Sequence, residues 1–426
     1  SVLVVSGSSI AMSHKEALFK DGTKFGEWSI ENTIDSGGFG KVYKVVNKSG
    51  QKAALKVEGY DEEGISAIKM EIAILRLLNK DGERPHIPKV FHSAKRKKYC
   101  YMVMSLLGAN IKELKKDNKM QTFSTSTWVR LGIQALYALK TLHDNGFVHR
   151  DIKPANFVIG DANDPEKKRM LFVIDFGLSR SYAFKTSEGK WIVRVARKIV
   201  DLRGTIRYCS PNVHREKEQG RADDLWSLMY VLIECHCGLP WQKENDNEKM
   251  QTEKLNISDV DLAMKMPQEL HGIIPALRNL TCYQRPDYAE FHKCLLKIME
   301  RKKYKFDDPF DWEKAGVTKP KTTPKWYDAA DFFKSDPIGI NGLPSATDRK
   351  AKEKKTKEIT YEQTTEAVTV DKTYREEGMV NADGELAKEP KKAKGKKVEK
   401  TNEENDDKKS ESKKSDVKEE SKKDNK

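Results

Sequence analysis

His149-Arg150-Asp151-Ile152-Lys153-Pro154-Ala155-Asn156-Phe157 is the stretch on which the reading of this chain turns. A short apolar run, Met170-Leu171-Phe172-Val173-Ile174, follows and ends in Asp175-Phe176-Gly177. The polar residues divide the chemistry between them. Asp151 offers a carboxylate that can accept the proton of an incoming hydroxyl. Lys153, two residues on, offers an ammonium to balance a migrating anion. Asn156 and Asp175 offer hard oxygen donors of the kind that suit Mg²⁺. An ordinary loop accounts for any one of these. The set together asks for a reaction in which negative charge is positioned, moved and neutralised.

The two blocks fit the patterns H-R-D-x-x-x-x-N and D-F-G of protein kinases, which transfer a phosphoryl group from ATP. The chain before them supplies the remaining parts. Ile34-Asp35-Ser36-Gly37-Gly38-Phe39-Gly40-Lys41-Val42 reads as strand, glycine-rich turn, strand. Gly37, Gly40 and Val42 match the pattern of a loop that lets backbone amides approach phosphates, with Ile34 beside it. The first glycine of that pattern is replaced by Asp35, a negative group where phosphates would lie, which should weaken nucleotide binding. Lys52-Ala53-Ala54-Leu55-Lys56-Val57 alternates as a strand, and Lys56 is its candidate contact for the α- and β-phosphates. Glu58 stands too near on the same strand to be the partner of Lys56, and Glu62 and Glu63 fall in a turn. Glu71, inside the helically spaced run Ile68 to Leu78, is the partner chosen. Tyr99 to Met104 reads as a strand and Ser105-Leu106-Leu107-Gly108 as the hinge between two lobes. Adenine would then lie under Met104 and Leu107, walled by Ala54, Val42 and Val158.

Downstream, Ser126 to His143 is helically patterned and delivers the chain to the catalytic stretch. From Gly177 to Pro211 the sequence reads as a long polar segment. It carries Arg194, Arg197, Lys198, Arg203 and Arg207 against Glu188 and Asp201, next to Gly204-Thr205, where an acceptor would pass. Thr205 joins the candidate catalytic set. Arg207, with Lys198 and Arg203, forms a candidate anion site that would favour acidic or phosphorylated substrates. Asp224, opening the helix after Asp223, can accept amide hydrogen bonds from the catalytic loop and hold its shape.

The chain has 426 residues and a net charge of +14, averages over unlike parts. Nearly all apolar periodic sequence lies between 28 and about 300. The expected organisation is an N-terminal extension (1–24), an N-lobe (25–107), a C-lobe (108–316), a linker (317–345) and a disordered Lys/Glu-rich tail (346–426). No run is long and apolar enough to span a bilayer. Six scattered cysteines fit reduced thiols in a cytoplasmic or nuclear compartment. Cys235-His236-Cys237 lies in an apolar helical run, where core packing is the better reading than a metal site. The opening Ser1-Val2-Leu3-Val4-Val5 leaves two readings: a natural start at Met12, or a fragment.

With these residues in hand, the chain resembles the casein kinase I superfamily of Ser/Thr protein kinases, and within it the tau-tubulin kinases. Three stretches carry the likeness: Arg150 to Phe157, Arg203-Gly204-Thr205-Ile206-Arg207-Tyr208-Cys209-Ser210-Pro211-Asn212-Val213-His214, and Phe310-Asp311-Trp312-Glu313-Lys314-Ala315-Gly316. The resemblance covers about residues 25–316. It implies an α+β bilobal kinase fold, with an antiparallel N-lobe sheet carrying one main helix and a mostly helical C-lobe. It implies ATP and Mg²⁺, protein substrates accepting on Ser or Thr, an anion pocket near Arg207, and activity without obligatory activation-loop phosphorylation. Cytoskeletal partners follow by family analogy; no specific nucleic acid and no membrane is expected. Asp35 and Pro211 depart from the pattern. The alternative reading is a catalytically weak pseudokinase that acts as a scaffold.

Overall fold

Alternation decides the first part of the molecule. Tyr43 and Val45 on one strand and Ala53, Leu55 and Val57 on the next point to one face, and all are buried. The computed structural model describes residues 18–37, 40–60, 66–186, 188–313 and 329–343, together with the short strands 369–370 and 379–380. Strands β1 (Trp28–Gly37), β2 (Gly40–Asn47) and β3 (Lys52–Gly59) pair antiparallel in sequence order. β4 (Val90–Lys95) and β5 (Tyr99–Ser105) complete the order β4-β5-β3-β2-β1, again antiparallel. One face holds an aromatic cluster of Phe19, Phe25, Trp28, Tyr43, Tyr99 and Tyr101. The other face, with Ala54, Met102 and Met104, packs on helix α1 (Ala67–Leu78) through Ile68, Ile72 and Leu75.

Ser105 ends β5, and the expected hinge is structured. Leu107–Asn110 forms strand β6, which pairs with β7 (Phe157–Gly160); β7 in turn pairs with β8 (Leu171–Val173). The break in periodicity at Ser105 to Gly108 marks the change from the first sheet to the second. Gly108 permits it: an added Cβ would sit 2.8 Å from the Gly160 carbonyl oxygen.

Helix α2 (Thr125–His143) is buried along most of its circumference and forms the axis of the second part. Ser124 caps it and is itself held by Asp311 (N–Oδ2 2.6 Å). Phe310 closes the same end, with the Arg130 guanidinium 4.3 Å from its ring centroid. Arg169 forks onto Glu313 (Nε–Oε1 2.7 Å), so the Phe-Asp-Trp-Glu block is tied to the helical part by charge as well as packing.

The segment after Gly177, expected as a long polar loop, contains a hairpin of β9 (Ala183–Lys185) and β10 (Trp191–Val193). Ala183, Ile192 and Val193 are buried, and these apolar positions account for its order. Helices α3 (Arg221–His236) and α4 (Tyr288–Lys302) pack on α2. Cys235 is buried in this core, while His236 accepts from Trp128 Nε1 at 3.0 Å, so the Cys-His-Cys run is packing. All six cysteines are free.

Part of the expected linker also has structure. Ala330–Lys334 forms helix α5, Phe333 is fully buried, and Arg285 Nη2 donates to Ser335 O at 2.8 Å. Two short pieces of the tail form strands. Thr369–Val370 pairs with Ala94–Lys95 of β4, and Met379–Val380 pairs with Leu18–Phe19. β-Branched residues in an otherwise polar tail are the ones suited to extend a sheet edge. The rest of the tail and residues 1–17 lie outside the described residues.

Candidate active site

Lys56 sits mid-strand on β3, opposite Val42 of β2 and Met102 of β5. Its Nζ lies 2.6 Å from Glu71 Oε2 and 3.4 Å from Asp175 Oδ1. Glu71 is buried, and its other oxygen accepts from the Asp175 amide at 3.1 Å. One carboxylate thus ties the helix to both the strand lysine and the Asp-Phe-Gly turn. Burial alone would lower the Lys56 ammonium, but Glu71 and Asp175 together hold it above its ordinary value. Asp175 responds in the opposite sense: burial would raise it, and Lys56, His149 and Lys153 bring it below the usual carboxylate range. Asp175 has φ +66, a left-handed conformation uncommon outside glycine, and Phe176 beside it is fully buried.

The second cluster centres on Asp151. Its Oδ1 accepts from Thr205 Oγ1 at 2.7 Å and from the Thr205 amide at 2.9 Å. Its Oδ2 accepts from Lys153 Nζ at 2.6 Å, and Lys153 also reaches Thr205 Oγ1 at 3.3 Å. Asn156 Nδ2 donates to the Asp151 carbonyl at 2.9 Å. Gly204 makes this approach feasible. It has φ +101, and a Cβ there would meet the Arg150 carbonyl oxygen at 2.4 Å.

Asp224 supports the loop from behind. It accepts from the amides of His149 (2.6 Å) and Arg150 (2.8 Å) and lies 2.9 Å from His143 Nε2. His143 Nδ1 is in turn 2.7 Å from Tyr288 Oη. Burial would raise Asp224, but His143 and the loop bring it below the usual range; burial keeps His143 low and neutral. The amide hydrogen bonds expected of Asp224 are present.

The apolar candidates divide. Ala54, Met104 and Val158 are nearly buried, with Ala54 directly opposite Met104 in the sheet. Val42 is half-buried beside them, and Leu107 opposes Gly160 across β6 and β7. Ile34 is 48% exposed and contributes little to a closed wall. Gly37 and Gly40 pair across the glycine-rich turn, while Gly38 and Phe39 lie outside the described residues. Asp35 stands exposed opposite Val42.

The candidate anion set is dispersed among other contacts. Arg207 donates to the carbonyls of Trp241 (2.9 Å), Gln242 (2.7 Å) and Glu244 (2.9 Å), so its guanidinium fastens two loops together. Arg203 faces Asp201 at 3.8 Å, and Lys198 is exposed. No contact among the described residues gathers the three into one pocket. Pro211 leaves its surroundings intact. It takes the first turn of a short helix, where a missing N–H costs nothing, and Asn212 still donates to Asp223 at 3.2 Å.

Two groups were not singled out by sequence. Glu58 accepts from Ser66 Oγ (2.8 Å) and the Ala67 amide (2.6 Å), capping the helix that carries Glu71. Its i, i+2 spacing from Lys56, which puts both on one face of β3, was the available signal. Glu218, far in sequence from the basic segment, forks onto Arg197 (2.7 and 2.9 Å).

Comparison with known proteins agrees with this architecture. The protein kinase domain family matches residues 28–306. An inactive tau-tubulin kinase of Caenorhabditis elegans is 41% identical over 282 residues, 65% of this chain and 97% of that protein. A probable serine/threonine-protein kinase of Dictyostelium discoideum is 35% identical, over 68% of this chain and 57% of its own length. A casein kinase I homolog of Kluyveromyces lactis is 31% identical, over 67% and 53%. The two-part fold, the Lys56–Glu71–Asp175 and Asp151–Lys153–Thr205 clusters and these matches together make the chain a member of the protein kinase family, within the casein kinase I superfamily and similar to its tau-tubulin kinases.

Proposed function

We propose that this chain binds ATP with Mg²⁺ and transfers the terminal phosphoryl group to Ser or Thr hydroxyls of proteins. Family membership implies ATP. The observation that carries transfer is the Lys56 ammonium held between Glu71 and Asp175, in a chain where Asp151 is joined to Lys153 and Thr205. Lys56 positions the phosphates, kept charged by its two carboxylates. Asp151 orients the acceptor hydroxyl and takes its proton. Lys153 balances the charge of the moving group, and Thr205 fixes the rotamer of Asp151.

Asn156 and Asp175 fit Mg²⁺. Asn156 spends its Nδ2 on the Asp151 carbonyl, leaving Oδ1 as a donor, and Asp175 is a carboxylate held ionised. Two protein oxygens are the sparse set Mg²⁺ takes when phosphates and water complete its shell. Bound there, the ion would neutralise phosphate charge.

Residues 25–107 and 108–316 serve as the two lobes in this reading. Exposed Lys198 and Arg203 support a preference for acidic or phosphorylated acceptors. Cytoskeletal proteins are the analogy drawn from the tau-tubulin kinases, and the compartment is cytoplasmic or nuclear. Purified chain with Mg-ATP should label casein, and Asp151→Asn should abolish the label. Label that persists in the variant removes the assignment.

A second reading has its own support: a relative named inactive at 41% identity, and Asp35 at the first glycine of the turn. It makes the chain a pseudokinase scaffold. No Mg-ATP-dependent rise in melting temperature, with no transfer, decides for it.

A further inference from the structure

Four arginines lie near one another beside the catalytic loop, and Glu218 pairs directly with two of them, Arg180 and Arg197. Arg150, next to Asp151, has φ +70 and donates from Nε to the Leu178 carbonyl at 2.6 Å. Arg180 follows the Asp-Phe-Gly turn, and Arg194 and Arg197 follow the β9–β10 hairpin. Burial and the neighbouring Arg180 and Arg197 push Arg150 down to about 10. Arg194 is lowered by burial and by the same two guanidiniums. These cations come from three separate stretches and repel one another, three of them half-buried and Arg197 exposed.

Glu218 contacts Arg197 and Arg180 directly, lines the same small cavity as Arg194, and carries a negative charge that opposes the other guanidiniums at Arg150. Its side chain is 10% exposed. It receives Arg197 Nε at 2.7 Å, Arg197 Nη2 at 2.9 Å and the Arg197 amide at 3.1 Å, with Arg180 Nε at 3.6 Å. Its neighbours fasten the same segment: the Val200 amide donates to Glu216 O at 3.2 Å, and Gln219 Nε2 to Arg203 O at 3.3 Å. Glu216 adopts φ +54 at this turn.

We infer that Glu218 is a built-in counter-anion: it orders residues 194–203 against the catalytic loop by neutralising the Arg150, Arg180, Arg194 and Arg197 cluster. Added phosphate orders basic loops by the same physics; here the chain carries the anion itself. Glu218 is a positioning residue, since it touches the segment and not the reacting atoms. The inference goes beyond phosphoryl transfer and holds for a silent chain as well.

Limited trypsin digestion of the full chain tests it, because the segment carries its own sites at Arg194, Arg197, Lys198 and Arg203. Fragments are mapped by mass spectrometry, without nucleotide. Glu218→Ala should be cut there about tenfold faster than the natural chain. Inorganic phosphate should slow that cutting, and sodium chloride at equal ionic strength should not, because a tetrahedral anion refills the vacated charge. The natural chain should be indifferent to phosphate. Glu218→Gln keeps an acceptor without the charge and carries the test should the alanine variant fail to fold. It should be cut faster than the natural chain and be protected by phosphate. Cutting of Glu218→Gln at the natural rate, or variants that ignore phosphate, overturns the inference. The readout needs no transfer, so a failure of the kinase reading leaves it standing.

Discussion

The catalytic loop and the strands flanking the glycine-rich turn are built differently. Residues 149–156 are fixed from behind by Asp224 and His143 and from the side by Thr205 and Asn156, and none of them is exposed. Beside the turn, β1 carries Ile34 and Asp35 exposed and pairs with β2. The departure at Asp35 falls on an exposed strand position. Asp35 replaces a glycine without breaking the Asp35–Val42 pairing. A change at Asp224 would leave two amides and a histidine without their acceptor.

The largest effect should therefore come from the loop. Asp224→Ala strands the His149 and Arg150 amides in a buried site. The expected loss is ~3–5 kcal/mol of unfolding free energy, read by denaturant titration. A loss under about 1 kcal/mol would show that the loop holds itself and would erase the contrast.

Next is Lys56→Met, at the seam between the two regions. It leaves Glu71 and Asp175 facing each other without the ammonium. Transfer should fall by a factor of about 100 or more, and the Mg-ATP-dependent rise in melting temperature should shrink. Unchanged transfer would mean that phosphates are held elsewhere.

Acid should separate the regions further. Buried His86, pushed down to about 4, and buried His143 are neutral in the fold and take up protons more readily when unfolded. Asp224, held low, is ionised in the fold. A depressed folded pKa in either type gives stability that is present at higher pH and lost as pH falls. For the histidines the loss begins near their ordinary value of 6.5. His86 alone should cost about 2 kcal/mol by pH 5. Melting temperature measured from pH 7 to 5 should drop, and less steeply in His86→Gln. Parallel curves would remove His86 as a source.

How much of this was legible follows the same division. The catalytic stretch announces itself because its polar residues sit close in sequence. The helical spacing of Ile68 to Leu78 places Glu71 against Lys56. Arg207 could not be read in that way. Its partners are backbone carbonyls at Trp241 to Glu244, and carbonyls carry no sequence signal. Glu218 and Glu58 were missed because each acts on a segment whose position only the fold sets. The strand Leu107–Asn110, which overlaps the expected hinge at Leu107-Gly108, was not legible because four residues, Leu-Gly-Ala-Asn, carry no period.

The smallest expected effect belongs to the turn, and it gives the most direct test. Transfer of labelled phosphate from Mg-ATP to casein is to be measured side by side for the natural chain and Asp35→Gly. Both should label, with Asp35→Gly within a few-fold of the natural chain, a difference of under about 1 kcal/mol. A natural chain that is silent while Asp35→Gly is active would contradict the account, because the turn and not the catalytic loop would then decide whether this protein is a kinase.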